Sequence, residues 1–168
     1  MTKENEDVKD CLREDNMDKY EALKLESQLC FPLYAVSKEI VKKYKPYLDK
    51  LDITYTQYIT LMVLWEHKQM NVKELGQCLY LDSGTLTPVL KKLEQKGLVR
   101  RSRGIEDERV LNVTLTNKGE ALKEKAVTIP VHMGACFKLK KEDAEQLYNI
   151  LYEVLDGLSK LDNKYLSE

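Results

Sequence analysis

Glycine and proline are scarce in this chain, 7 and 4 among 168 residues. That argues against an all-β protein crowded with turns and favours long helices. No apolar run approaches the roughly 18 residues that a membrane span needs, so no membrane partner is expected. The first ten residues, MTKENEDVKD, hold no apolar stretch, which points away from a secretory leader and toward a cytoplasmic protein. The four cysteines, at 11, 30, 78 and 136, form no CxxC and no Cys/His pair at zinc spacing. A chain of this size needs no disulfide to fold, so reduced thiols are expected, with no metal and no cofactor. Neither sign of charge dominates: 27 bases meet 28 acids, a net charge of -1. That total does not suggest a nucleic-acid binder, but it hides how the charge is distributed. What the chain does have is 43% hydrophobic and 33% charged residues, enough for the core of one domain under a highly charged surface.

Residues 1–22 read as a mobile acidic arm, with little in them that could pack. The rest, 23–168, reads as a single domain. Leu25, Leu29, Leu33, Val36 and Ile40 recur at spacings of three and four, the period of a helix face. Pro32 is tolerated only in a first turn, so this helix starts or kinks near Leu29 to Phe31. Lys45-Pro46 should end it. Thr54 and Gln57 have capping-box spacing and open a second helix that reaches about His67. Asn71 caps a short third helix, Val72 to Tyr80. Asp82 or Ser83 caps a fourth, which ends at Gln95 with Gly97 as its left-handed terminator. Pro88 should bend that helix or loosen its first turns. The period then changes. Leu98 to Arg101 and Val110 to Leu115 are β-rich runs around a charged loop, a hairpin pattern. Thr116 caps a helix to about Val127, Pro130 and Gly134 mark a bend, and a last helix spans Lys141 to Tyr165.

Helix, turn, helix and hairpin in that order make a winged helix-turn-helix, so the fold expected is α+β and mainly α. Its reading head covers about 54–115. The second helix of such a pair enters the major groove by its N-terminal end. Here that end offers Ser83, Gly84, Thr85, Thr87 and Pro88. Residues 91–103 carry Lys91, Lys92, Lys96, Arg100, Arg101 and Arg103 against Glu94 alone, a net +5. Such a patch binds any duplex by releasing counterions. The alternative, a merely solvated helix face, leaves the helix-turn-helix punctuation and the charged hairpin unexplained. In the hairpin, Asp107 and Arg109 lie two apart. They form a local ion pair, or Arg109 probes the narrow minor groove while Asp107 orients it.

Leu147, Ile150, Leu151, Val154, Leu155, Leu158 and Leu161 form one wide apolar stripe on the last helix. A stripe this wide exceeds what a small wing can cover. The terminal helices, about 23–50 and 116–166, are therefore expected to build a dimerisation bundle, as pseudo-palindromic operators favour. Among the thiols, Cys30 sits at the expected start of a helix, where free N–H groups favour negative charge. A lone cysteine in an apolar stretch is more commonly a buried structural residue. Cys78 reads as structural, and Cys11 as incidental.

Several segments resemble the multiple antibiotic resistance regulator (MarR) family of winged-helix repressors, and within it the organic hydroperoxide resistance regulators. They are Leu25-Glu26-Ser27-Gln28-Leu29-Cys30-Phe31, Leu64-Trp65-Glu66-His67, Leu79 to Pro88 and Asp107-Glu108-Arg109. The resemblance spans about residues 23–160. It implies that Cys30 senses peroxide and that tyrosine hydroxyls, two of them from the partner subunit, hold its thiolate; Tyr34, Tyr44 and Tyr55 stand at the matching positions. One subgroup of these regulators also uses a resolving cysteine near the start of the partner's last long helix, and Cys136 falls about there; without it, oxidation would end as a mixed disulfide with a small thiol or as over-oxidation. The implied function is a homodimeric repressor that leaves double-stranded operator DNA when an organic hydroperoxide oxidises Cys30. Two rivals remain open. One is a repressor released by a non-covalent phenolic ligand, with Cys30 simply buried. The other is a thiol peroxidase, which would leave the basic reading head without a purpose.

Overall fold

The computed structural model describes residues 20–104 and 107–165. Most of the acidic arm, Cys11 included, lies outside them. The chain divides into two compact units, residues 1–55 and 56–168.

In the first unit, two short 3-10 turns, Glu21–Leu23 and Leu25–Ser27, precede helix α1, Cys30–Leu48. Pro32 is the third residue of α1, where no N–H is needed for the helix ladder. The stop expected at Lys45-Pro46 is not there, because α1 continues through Pro46 to Leu48. Lys45 Nζ meets Asp49 Oδ2 at 2.6 Å, and the Asp49 N–H still reaches the Lys45 carbonyl. Leu48, only 2% exposed, anchors the extra turn. Burial and these two bonds offset the one hydrogen bond that a proline removes. A further 3-10 turn, Asp49–Leu51, closes on Asp52 at φ 52°, and the Ile53 N–H returns to the Leu48 carbonyl.

The second unit contains nearly all of α2, Tyr55–His67, then β1, Gln69–Asn71, and α3, Val72–Leu79. Next come α4, Ser83–Gln95, and the hairpin strands β2, Val99–Arg103, and β3, Leu111–Leu115. Helices α5, Asn117–Ala126, α6, Ile129–Phe137, and α7, Lys141–Tyr165, complete it. Its core follows the helical period: Tyr58, Leu61, Leu64 and Trp65 from α2, and Leu86, Leu90 and Leu93 from α4, are all buried. Gly97 takes φ 70° after α4, as its C-terminal position requires.

The sheet is antiparallel with order β1-β3-β2, so the expected hairpin has a third strand. Met70 and Arg101 both stand opposite Val113, which is buried. A three-residue strand is too short to show a period of two in sequence. The segment expected to bend at Pro130 and Gly134 is a helix, α6. Pro130 sits in its first turn, where proline is favourable, and Gly134 is interior. Cys136 therefore lies in a helix and not in a bend, with its Sγ 3.4 Å from the His132 carbonyl oxygen.

Candidate functional site

The reading head is assembled by caps. Asn71 Oδ1 accepts the Glu74 N–H at 2.8 Å and starts α3. Tyr80, at φ 52°, ends it. Asp82 then opens α4, accepting the Thr85 N–H at 2.9 Å and the Thr85 hydroxyl at 2.8 Å. These two donors hold the Asp82 carboxyl below the ordinary carboxylate range. The cap fixes where α4 begins, so Ser83, Gly84 and Thr85 occupy its exposed first turn. Thr87 is half-buried, and its hydroxyl donates to the Ser83 carbonyl at 2.6 Å. The hydroxyl protons of Thr85 and Thr87 are thus already used within α4. Outward they present acceptor lone pairs, and the free cationic donors are Lys91 and Lys92, both exposed one turn further on. Pro88 is exposed, and α4 runs on through it above buried Leu86, Leu90 and Leu93.

The wing is braced at two levels. Arg103 Nη1 donates to the Glu108 carbonyl at 2.8 Å. Asp107 Oδ1 accepts the backbone N–H of Arg109 at 2.9 Å. Asp107 therefore shapes the tip through the main chain and not by an ion pair with the Arg109 guanidinium. Sequence reasoning counted Arg101 in the basic patch, but its guanidinium is held by Glu94 at 2.7 Å, with 20% and 35% of the two side chains exposed.

A clamp that the sequence did not reveal ties α5 to the reading head. Trp65 Nε1 donates to the Gly119 carbonyl at 2.9 Å in the interior. Lys68 Nζ bridges both Glu120 oxygens at 2.7 Å. Thr116 caps α5 through the Gly119 N–H at 3.1 Å and donates its hydroxyl proton to the Gly97 carbonyl at 2.7 Å. Gly119 is required here, since a Cβ would strike the Leu98 carbonyl oxygen and come within 2.7 Å of Leu115 Cδ1. The clue in the sequence was Thr-Asn-Lys-Gly, a cap followed at once by a residue that a helix disfavours.

Cys30 is the first residue of α1 and is exposed. It opens a 19-residue helix whose dipole favours negative charge at that end, although the Phe31 N–H is taken by the Gln28 carbonyl at 3.2 Å and Pro32 has none. Tyr34, one turn on, is 62% exposed. Tyr44 and Tyr55 pack together, with ring centroids 4.9 Å apart and planes at 58°. Burial raises both phenol pKa values, and for Tyr44 the neighbouring Tyr55 adds to the effect. Both remain neutral hydroxyl donors at physiological pH. A cavity of about 450 Å³ lies beside them, lined by Val41, Leu48, Ile53 and Tyr55 with Lys38, Lys42 and Lys45.

The model of the SarA/Rot transcriptional regulators matches residues 42–126. This chain belongs to that family of regulators, which is of the MarR type. It is 54% identical over 141 residues to the organic hydroperoxide resistance transcriptional regulator of Bacillus subtilis, covering 84% of this chain and 96% of that one. Reduced AbfR bound to DNA superposes with a TM-score of 0.69 at 36% identity, over 84% of this chain and 99% of that one. AbfR has also been solved with a disulfide formed, with a TM-score of 0.54 at 35% identity over 85% and 95% of the two chains. Reduced MarR from E. coli gives a TM-score of 0.61 at 28% identity over 76% and 96%. The matched family and these relatives are transcriptional regulators.

Proposed function

We propose that this regulator is a cytoplasmic homodimeric repressor that releases its operator when an organic hydroperoxide oxidises Cys30. The observation that carries the reading is an exposed cysteine at the N-terminus of a long helix, in a chain 54% identical to an organic hydroperoxide resistance regulator. The Cys30 thiolate attacks the distal oxygen of the peroxide. The O–O bond breaks, the thiolate becomes a sulfenic acid, and the alkoxide takes a proton and leaves as an alcohol. A second thiol, from Cys136 of the partner or from a small molecule, then displaces the sulfenic oxygen as water and leaves a disulfide. The hydroxyls of Tyr34, Tyr44 and Tyr55, two of them supplied by the partner subunit, donate hydrogen bonds to the reduced thiolate. Bridging two cysteines requires their Cα atoms to come within about 7 Å, so helices move and the two reading heads lose their register on DNA. Ser83, Gly84, Thr85, Thr87, Pro88, Lys91 and Lys92 form the major-groove face, while Arg103, Asp107 and Arg109 form the wing.

The test is a mobility shift on DNA upstream of the chain's own gene, with and without cumene hydroperoxide. Wild type should bind and be released, whereas Cys30→Ser should bind and stay. Release of Cys30→Ser by peroxide would overturn the reading. Release by a phenol alone, unaffected by Cys30→Ser, would favour the non-covalent rival.

A further inference from the structure

Glu94 is the only acid among residues 91–103. It stands on the last turn of α4, and a single residue of β2 supplies it with three hydrogen bonds. The Arg101 backbone N–H reaches Oε1 at 2.8 Å. Arg101 Nε and Nη2 reach Oε2 at 2.9 and 2.7 Å. Only Lys96, Gly97 and Leu98 separate the helix from the strand. A turn built on a glycine in the left-handed region does not by itself fix the angle between helix and strand. The three-point contact does, because two guanidinium donors converge on Oε2 while the Arg101 backbone N–H holds Oε1, tying the carboxylate to both the side chain and the main chain of β2. The same bonds hold the Glu94 carboxyl below the usual carboxylate range. The bracing continues along β2. Arg103 points to the same face as Arg101 and donates to the Glu108 carbonyl, next to Arg109. A DNA-binding surface that commits an arginine to a carboxylate gives up phosphate affinity. What it gains is geometry.

We propose that Glu94 is a positioning residue, which through Arg101 sets the pitch of the wing against α4 so that Arg109 meets DNA when α4 is seated in its groove. This rests on the reading that α4 and the wing bind one duplex together. Neither Glu94 nor Arg101 touches the DNA. Loss of the pair leaves α4 able to bind and uncouples the wing from it.

The test is a double-mutant cycle on the full-length dimer, using a duplex that the wild-type chain selects from a randomised pool. Arg109→Ala alone should weaken binding about tenfold and lower the salt slope by about one unit. In a Glu94→Ala background the same change should cost less than about twofold, with no further loss of slope. Arg101→Lys, which keeps the charge and loses the two converging guanidinium donors, should behave as Glu94→Ala does and covers the case in which that variant folds poorly. An equal tenfold cost of Arg109→Ala in all backgrounds would overturn the proposal and reduce the pair to an ordinary stabilising contact. No effect of Arg109→Ala in the wild-type background would instead remove the wing from the DNA, and with it the premise. Failure to select any duplex would dispose of both.

Discussion

At the residue scale, chemistry is decided by where a polar atom is allowed to spend its proton. Thr85 and Thr87 show this on α4: both hydroxyls donate inward, so neither acts as a simple donor to a phosphate. Tyr44 and Tyr55 show another case, since burial keeps their phenols protonated. The pH consequence has a definite sign. An unfolded tyrosine ionises near 10, whereas these two ionise above it in the folded chain. Their contribution to stability is complete below pH 10 and is lost as pH rises from there through the folded values. Phenolate absorbance should therefore show late-titrating groups that Tyr44→Phe and Tyr55→Phe remove one at a time. Titration of both variants like wild type would contradict the burial argument. The same two substitutions should slow peroxide release more than they weaken operator binding, measured as a release rate against an affinity in the reduced state.

At the scale of elements, caps were legible in the sequence and long-range ties were not. Asn71, Asp82 and Thr116 each stand just before an apolar helical period, and each caps as its spacing predicts. The proline in α1 misled, because its cost is local and visible, while the burial of Leu48 that offsets it depends on the folded chain. Strand β1 was missed for its length, and α6 because Pro130 and Gly134 read alike as a bend or as a helix start and interior. Cys30 and the basic stretch could be found from sequence, but the commitment of Arg101 to Glu94 could not, since alternation in β2 does not say what faces it. The clamp on α5 supplies two predictions. Gly119→Ala should cost at least about 2 kcal/mol, because the clash is partly with backbone that cannot rotate away. Trp65→Phe should cost about 1–3 kcal/mol by leaving the buried Gly119 carbonyl without its donor. Denaturant midpoints measure both, and a change below 0.5 kcal/mol, about the size of a neutral surface substitution, would refute the clamp. On the DNA face, Lys91→Ala should lower the salt slope by about one unit and weaken all sequences alike.

At the scale of the whole molecule, the chain exposes more apolar surface than a lone soluble subunit carries comfortably. Along α7, Leu147, Ile150, Val154 and Leu158 are 39–55% exposed, Leu151 and Leu155 are half-buried, and the side chain of Leu161 lies outside the described residues. The segment that leads into α1 and its first turn expose Leu25, Leu29 and Phe31, at 57%, 75% and 40%. A helix of 25 residues is about 37 Å long, so the stripe on α7 is continuous on the scale of a subunit interface and not a scatter of single residues. On the proposed reading a second copy of the chain covers it, because a two-fold interface is self-complementary and a two-fold operator needs two reading heads. The dimer should then persist at every concentration at which the chain is folded. Placing a charge in the middle of the stripe, as Leu151→Glu or Leu155→Glu, should shift sedimentation to a monomer or unfold the chain. Operator binding should fall with it, although neither residue lies near α4 or the wing in sequence. Linking two such variant chains in tandem should restore part of the affinity if pairing of heads is what was lost. A folded monomer of Leu151→Glu that held the operator as tightly as wild type would mean that α7 packs elsewhere and that each head reads DNA alone.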